Sequence, residues 1–349
     1  MDREGRLYIA CRRAEIKAGG VGEPLSGHDC GLAAGAPTVS IPPTLVSAMQ
    51  DKRIVSVATS ARHCLSLSAV GEVYSWGDGE CGELGHAEGD ARTGPRLIET
   101  LERVESIAAG FGSTSAAVDD RGRLFTWGRA RWDGAHTPPT GLGYKLATKC
   151  QPTPRRVDAL SEGRVVGVSL GYEFTLAVTD SGAVFSFGQS EYGVLGHGDF
   201  STSEVLQRRI EALAETGRRC VAETAGYNHA LALTEEGQVY GWGHWATNGH
   251  GQSQPTPQPV AGLERVKLLY VHDNSSCAVT EKGELYTWGD IGYPNNFNLG
   301  HGVGSPQETP KRVEALRRVK VATAAICGTH TLVAGEDGEV WPSEQDARP

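Results

Sequence analysis

A seven-residue pattern returns along the whole chain: glycine, any residue, an apolar residue, an aromatic residue, any residue, tryptophan, glycine. It reads GEVYSWG from Gly71, GRLFTWG from Gly122, GAVFSFG from Gly182, GQVYGWG from Gly237 and GELYTWG from Gly283. Degenerate copies open and close the chain as GRLYIAC from Gly5 and GEVWPS from Gly338. Successive copies lie 46 to 66 residues apart. A period of that size restricts the chain to architectures built by packing one small unit against its neighbours.

Ahead of each copy, apolar and small residues alternate on either side of a polar turn, as in CVAETAGYNHALALTEEGQVYGW. Alternation with period two, broken by turns such as TEEG, TEKG, TDSG and DDRG, marks half-buried antiparallel strands joined by hairpins. After the aromatic strand comes a polar loop and then a proline-bearing piece, such as TPRRVDAL or TPKRVEALRRV, that suits an edge strand. Glycine supplies 46 of 349 residues, spread along the chain as many tight turns require. Each unit therefore holds about four short strands, and neighbouring sheets must cover one another's faces. The expectation is a single all-β domain over residues 1–349, a β-propeller. Its units are approximately 5–70, 71–121, 122–181, 182–236, 237–282 and 283–337, with a closing strand at 338–343. Six complete repeats are counted. Trp76, Trp127, Trp242 and Trp288 then fill equivalent positions between blades.

The aromatic-x-Trp-Gly core, followed by CGELGH, YGVLGHGD or NLGHG and then GYNHALALT, resembles the regulator of chromosome condensation repeat family across essentially the whole chain. The resemblance implies a seven-bladed propeller closed by strands from both termini.

Several motifs invite chemistry and are explained by the repeat. GDGECG, from Gly77, matches G-x-G-x-x-G, but a dinucleotide site needs a helix to follow, and here glycines and a proline follow instead. His63, His229 and His330 each stand eight residues before a hairpin glycine, and His86, His197 and His301 each follow Leu-Gly. Such regularity points to hydrogen bonding across turns, especially as Phe174 and Ser275 occupy the first position elsewhere. Acidic pairs such as Glu235 with Glu236 fall in hairpin turns. The eight cysteines are dispersed, without zinc spacing or a compact disulfide framework, and read as reduced thiols. We expect no catalytic group, no cofactor and no metal site.

A formal charge of -9 argues against gripping nucleic acid through its phosphates. No segment suits membrane insertion. The expected setting is the cytoplasm or nucleus, and the expected state a monomer. Basic pairs at Arg155 and Arg156, Arg208 and Arg209, Arg218 and Arg219, and Arg317 and Arg318 are read as charged edge protection, with a rim for an acidic partner as the alternative.

The loop from Arg129 to Pro154 is the most individual region and lacks Leu-Gly-His at the usual spacing. It offers Arg131, Trp132, Tyr144 and Lys145, and Trp245 in GHWATNGHGQSQ is a second extra aromatic. These are residue types found at interface hot spots. The expected function is a non-catalytic scaffold that presents loops to a protein partner. The resemblance implies an alternative, guanine nucleotide exchange on a small Ran-like or Rab-like GTPase. It also brings in an ultraviolet photoreceptor branch, whose tryptophans would fall at Ala61, Phe111, Tyr172, Tyr227, Asp273 and Gly328; none of these is tryptophan.

Overall fold

The computed structural model describes residues 8–14, 38–60, 62–87, 91–129, 141–146, 148–158, 160, 163–200, 203–244, 247–289, 299–301, 307–326 and 331–342. Five sheets have four antiparallel strands each, in chain order. The first comprises β3 (Ile54–Thr59), β4 (His63–Ser68), β5 (Val73–Gly77) and β6 (Arg92–Leu97). The second comprises β7 (Val104–Gly110), β8 (Thr114–Asp119), β9 (Leu124–Arg129) and β10 (Cys150–Arg156). The third runs through β11 (Val165–Leu170), β12 (Phe174–Thr179), β13 (Val184–Gly188) and β14 (Glu204–Arg209). The fourth has β15 (Cys220–Ala225), β16 (His229–Thr234), β17 (Val239–Gly243) and β18 (Gln254–Pro259), and the fifth β19 (Val266–His272), β20 (Ser275–Thr280), β21 (Leu285–Gly289) and β22 (Gln307–Arg312). A sixth sheet has three strands, β23 (Val321–Ile326), β24 (Thr331–Gly335) and β25 (Val340–Pro342). Ahead of them all, β1 (Tyr8–Ala14) pairs with β2 (Thr38–Leu45).

The first strand of each sheet packs beside the first strand of the next, from β3 through β7, β11, β15 and β19 to β23. Six blades therefore stand around a common axis with these strands innermost, and the all-β propeller expected from the repeat is what the chain forms. Second strands β8, β12, β16 and β20 are buried along their whole length. This is why their sequences (TSAAVD, FTLAVT, HALALT, SSCAVT) are apolar or small at nearly every position instead of alternating. Each repeat unit, counted from its hairpin glycine, straddles two sheets: the outer half of one and the inner half of the next.

One joint is repeated between sheets. The carbonyls of Gly71, Gly122, Gly182, Gly237 and Gly283 accept from the backbone N–H groups of Val104, Val165, Cys220, Val266 and Val321 in the following sheet. At Gly71 (φ 83°) a Cβ would stand 2.7 Å from Arg103 Cα, so a hairpin glycine serves both the turn and the joint. Gly338 of the sixth sheet has nothing within 4 Å of that position. On the same sheet Leu332 is 44% and Val340 63% exposed. Among the described residues the repeated joint thus runs from the first sheet to the sixth.

The family resemblance implies seven blades, and β1 with β2 accounts for part of the difference. Tyr8 lies opposite Leu45, the register of Tyr74 with Leu97, Phe125 with Arg156, Phe185 with Arg209, Tyr240 with Pro259 and Tyr286 with Arg312. Val46 and buried Met49 follow, packing with Ile54, Tyr74 and Trp76 as sheet-to-sheet connections do elsewhere. β1 and β2 therefore have the form of the outer half of a blade.

Candidate partner-binding face

One end of the propeller carries the turns between first and second strands and the long loops between third and outer strands. Hydrogen bonds tie these loops from sheet to sheet. His63 Nε2 lies 2.8 Å from Ser115 Oγ in the next sheet. Ser115 Oγ and Trp127 Nε1 both donate to Glu83 O, each at 2.8 Å. Between the fourth and fifth sheets, His229 Nε2 meets Ser276 Oγ at 2.8 Å, and Trp288 Nε1 donates to Thr247 O at 3.0 Å. Trp242 Nε1 donates to Val194 O at 2.7 Å. Phe187 stands in the tryptophan position of the third sheet, where Thr175 Oγ1 donates to Gly141 O at 2.8 Å. Trp76 is buried in the first sheet. Burial pushes His63 down to about 4 and His229 down to about 3, so both are neutral hydrogen-bonding groups near pH 7. His330 lies outside the described residues.

A second set of bonds fixes the Leu-Gly-His segments. The hydroxyls of Ser75, Ser186 and Thr287 donate to the carbonyls of Leu84, Leu195 and Leu299, and meet Nε2 of His86, His197 and His301 at 2.8 Å. In the second sheet Thr126 Oγ1 donates to Leu142 O at 2.6 Å, and Tyr144 OH donates to Thr126 O at 2.7 Å. Leu142-Gly143-Tyr144 is thus the missing Leu-Gly-His, displaced by the longer loop and with tyrosine in the histidine position. This corrects the expectation that Tyr144 contacts a partner. It is 5% exposed and sits in the core with Leu142 and Val157, the Arg155 guanidinium 4.3 Å from its ring centre. Tyr144→Phe is accordingly expected to cost ~1 kcal/mol, the worth of one buried hydrogen bond, as read by urea denaturation. Lys145 is exposed beside it. Arg131, Trp132 and Trp245 lie outside the described residues.

The same end brings together Phe111, Tyr172 and Tyr227, which the sequence marks only as positions lacking tryptophan, and His272, which it does not mark. Tyr172 and Tyr227 stack with ring centres 4.2 Å apart. Phe111 meets His272 edge-on at 4.7 Å and Tyr227 at 6.3 Å. These half-buried rings come from four successive sheets, Phe111, Tyr172 and Tyr227 from the turns after β7, β11 and β15 and His272 from the end of β19. Two of the turns are joined where Tyr227 N–H donates to Asp273 O at 2.8 Å. The recoverable signal is position: Phe111, Tyr172 and Tyr227 follow their first strands at the same turn, whereas His272 closes β19 and carries no such mark. Glu173 adjoins the group, and Arg62 pairs with Asp78 at 3.2 Å nearer the first sheet. Such a surface offers flat apolar faces with charges of both signs beside them, suited to binding side chains. Among the described residues no group of three or more His, Cys, Asp or Glu is placed to hold a metal ion, and no helix is long and apolar enough to cross a membrane.

The description "Regulator of chromosome condensation (RCC1) repeat" matches residues 70–117, 181–233 and 282–334, and a second form of the same repeat matches 54–83, 165–194 and 224–252. The chain belongs to the RCC1 repeat family. Among RCC1-repeat relatives, human E3 ubiquitin-protein ligase HERC2 is 36% identical over 343 residues, covering 94% of this chain but 7% of HERC2. The ultraviolet-B receptor UVR8 of Arabidopsis thaliana is 31% identical over 284 residues, 78% of this chain and 61% of that protein. The chain thus spans less than two thirds of either relative. Yeast RCC1 (Prp20), solved bound to Kap60, superposes with a TM-score of 0.70 at 22% identity, covering 86% of this chain and 72% of Prp20; this likeness concerns the RCC1 fold.

Proposed function

We propose that this chain is a non-catalytic protein-interaction module that binds a protein partner through the loop-bearing end of the propeller. The observation that carries this reading is the aromatic group of Phe111, Tyr172, Tyr227 and His272, assembled across four sheets and left half-buried. Lys145, Arg131, Trp132 and Trp245 are further proposed partner contacts. The loops of the first four sheets are each hydrogen-bonded to the next sheet, which lowers the ordering cost of association. Structural relatives lend support: Prp20 has been solved with Kap60, and its binding to Gsp1p and histones is named with its structure. We place the module in the cytoplasm or nucleus, as a monomer. The nucleotide-exchange alternative rests on family resemblance and gains no residue from this geometry.

The test is capture of partners from cell extract on the immobilised chain. Tyr172→Ala combined with Tyr227→Ala is expected to reduce capture at least ~10-fold, as loss of aromatic anchors does, with the thermal midpoint little changed. Arg131→Ala with Trp132→Ala is expected to act in the same direction. Undiminished capture by both pairs of variants would overturn the assignment of this face. Accelerated nucleotide release from a purified small GTPase would replace the scaffold reading with exchange.

A further inference from the structure

Cys81 and Cys150 are 69 residues apart in sequence and share no motif, yet the fold brings their thiols together. Cys81 lies in the loop after β5 of the first sheet, and Cys150 opens β10 in the second. Cys81 and Cys150 are near enough for each to act electrostatically on the other. Their backbones already run side by side: Ala87 N–H donates to Pro152 O at 3.1 Å. A Cβ on Gly82 (φ 76°) would stand only 2.3 Å from Pro152 Cα, so glycine is what lets the two segments approach so closely. Both cysteines are half-buried and within reach of a small oxidant, whereas Cys220 and Cys277 are buried. Arg129, directly opposite Cys150 across the β9–β10 pair, places positive charge beside the two sulfurs.

We propose that Cys81 and Cys150 are a redox-modification site that closes to a reversible disulfide between the first and second sheets when the protein meets a peroxide. A disulfide needs a sulfur separation of ~2.0 Å and closely spaced backbones, and the approach of Gly82 to Pro152 brings the two backbone segments together beside these cysteines. Burial, and then the adjacent Cys150, push the Cys81 thiol up to about 12, and Cys150, opposite Arg129 at the start of β10, is assigned as the sulfur that attacks. The Cys150 thiolate attacks one peroxide oxygen; the O–O bond breaks, a sulfenic acid forms on Cys150, and the released hydroxide takes up the thiol's proton as water. Cys81 sulfur then attacks the Cys150 sulfur; the S–O bond breaks, and hydroxide leaves with the Cys81 proton as a second water. In sum, two thiols lose two electrons and two protons, and the peroxide is reduced to two waters. A small-molecule thiol reverses the bond by exchange. The bridge would pin the start of β10 to the neighbouring sheet.

The test treats the reduced full chain with hydrogen peroxide, blocks remaining thiols with N-ethylmaleimide, and maps peptides by mass spectrometry without reduction. The expected result is a peptide pair joined through Cys81 and Cys150, both protected from alkylation together and both restored by dithiothreitol. The thermal midpoint of the oxidised protein should rise by a few degrees, since the cross-link restricts the unfolded chain. Cys150→Ser should abolish the link and the rise while leaving the reduced protein's midpoint in place. Cys81→Ser should leave a sulfenic acid on Cys150 that dimedone traps. The proposal is overturned if both cysteines remain alkylatable, if either joins a different cysteine, or if the link forms only in urea-unfolded protein.

Discussion

Trp242→Ala is expected to destabilise the protein by ~3–5 kcal/mol, the range for emptying a tryptophan site in a packed core, measured as a lower urea midpoint with unchanged slope. The side chain is 0% exposed, within a cluster that joins third-sheet residues Phe174, Leu176, Val178 and Val184 to Ala225, Ala230 and Tyr240 of the fourth. Its loss removes packing between two sheets at once. It also strips Val194 O of the indole donor, and no hydroxyl is there to replace it, because Ala230 occupies the position of Ser115, Thr175 and Ser276 in the other sheets. The contrast with Trp127 tests this reasoning. There Ser115 Oγ still donates to Glu83 O when the indole is gone, so Trp127→Ala should cost ~1 kcal/mol less than Trp242→Ala. Trp242→Phe should restore the packing and leave only the unpaired carbonyl, a cost of ~1–2 kcal/mol. Equal losses for the two alanine variants would mean that packing volume alone sets the penalty and that the indole hydrogen bond adds nothing.

The same comparison shows why parts of this molecule were readable from sequence. Trp127, Trp242 and Trp288 do one job in the second, fourth and fifth sheets, so repetition announces them, as it does His63 and His229. Hairpin glycines were legible for the same reason, though their second task, accepting the next sheet's N–H, depends on how sheets dock. Where a position carries a different residue, repetition stops helping. Tyr144 replaces histidine after a longer loop and from sequence looks like a surface contact, whereas its hydroxyl performs the clamp from within the core. The grouping of Phe111, Tyr172, Tyr227 and His272 needs four sheets set around an axis, which no local pattern encodes. Cys81 and Cys150 meet because Gly82 packs on Pro152, a tertiary approach unmarked by spacing. The outer-half-blade character of β1 and β2 appears only in the register of Tyr8 with Leu45.

Acidification should weaken the fold well above the pH at which ordinary carboxylates protonate. His63 and His229 are held at about 4 and about 3 in the native state, against about 6.5 in an unfolded chain. Between those values the unfolded chain binds protons that the native state refuses, so stability present above pH 6.5 is lost as the pH falls towards 4. At pH 5 each histidine should cost ~2 kcal/mol, together lowering the thermal midpoint on the order of 5 °C. The refusal has a structural cause: His229 Nδ1 is buried without a partner, so a proton there would be an unpaired buried charge. Glu223 acts in the opposite sense. It takes the inner-strand position filled by Val57, Ile107, Val168, Leu269 and Ala324, and burial raises its carboxyl to about 8. A group raised in the native state favours folding increasingly as pH falls through 8, so Glu223 masks part of the histidine effect. Glu223→Gln should therefore steepen the loss of stability between pH 7 and 5, and His229→Gln, which keeps a nitrogen donor towards Ser276, should flatten it. Parallel pH profiles for wild type and both variants would show that neither group governs the acid response. Glu223→Val, which restores the residue type of the sister sheets, should raise the midpoint most at pH 8 and above, where the native carboxyl must otherwise ionise inside the sheet interface.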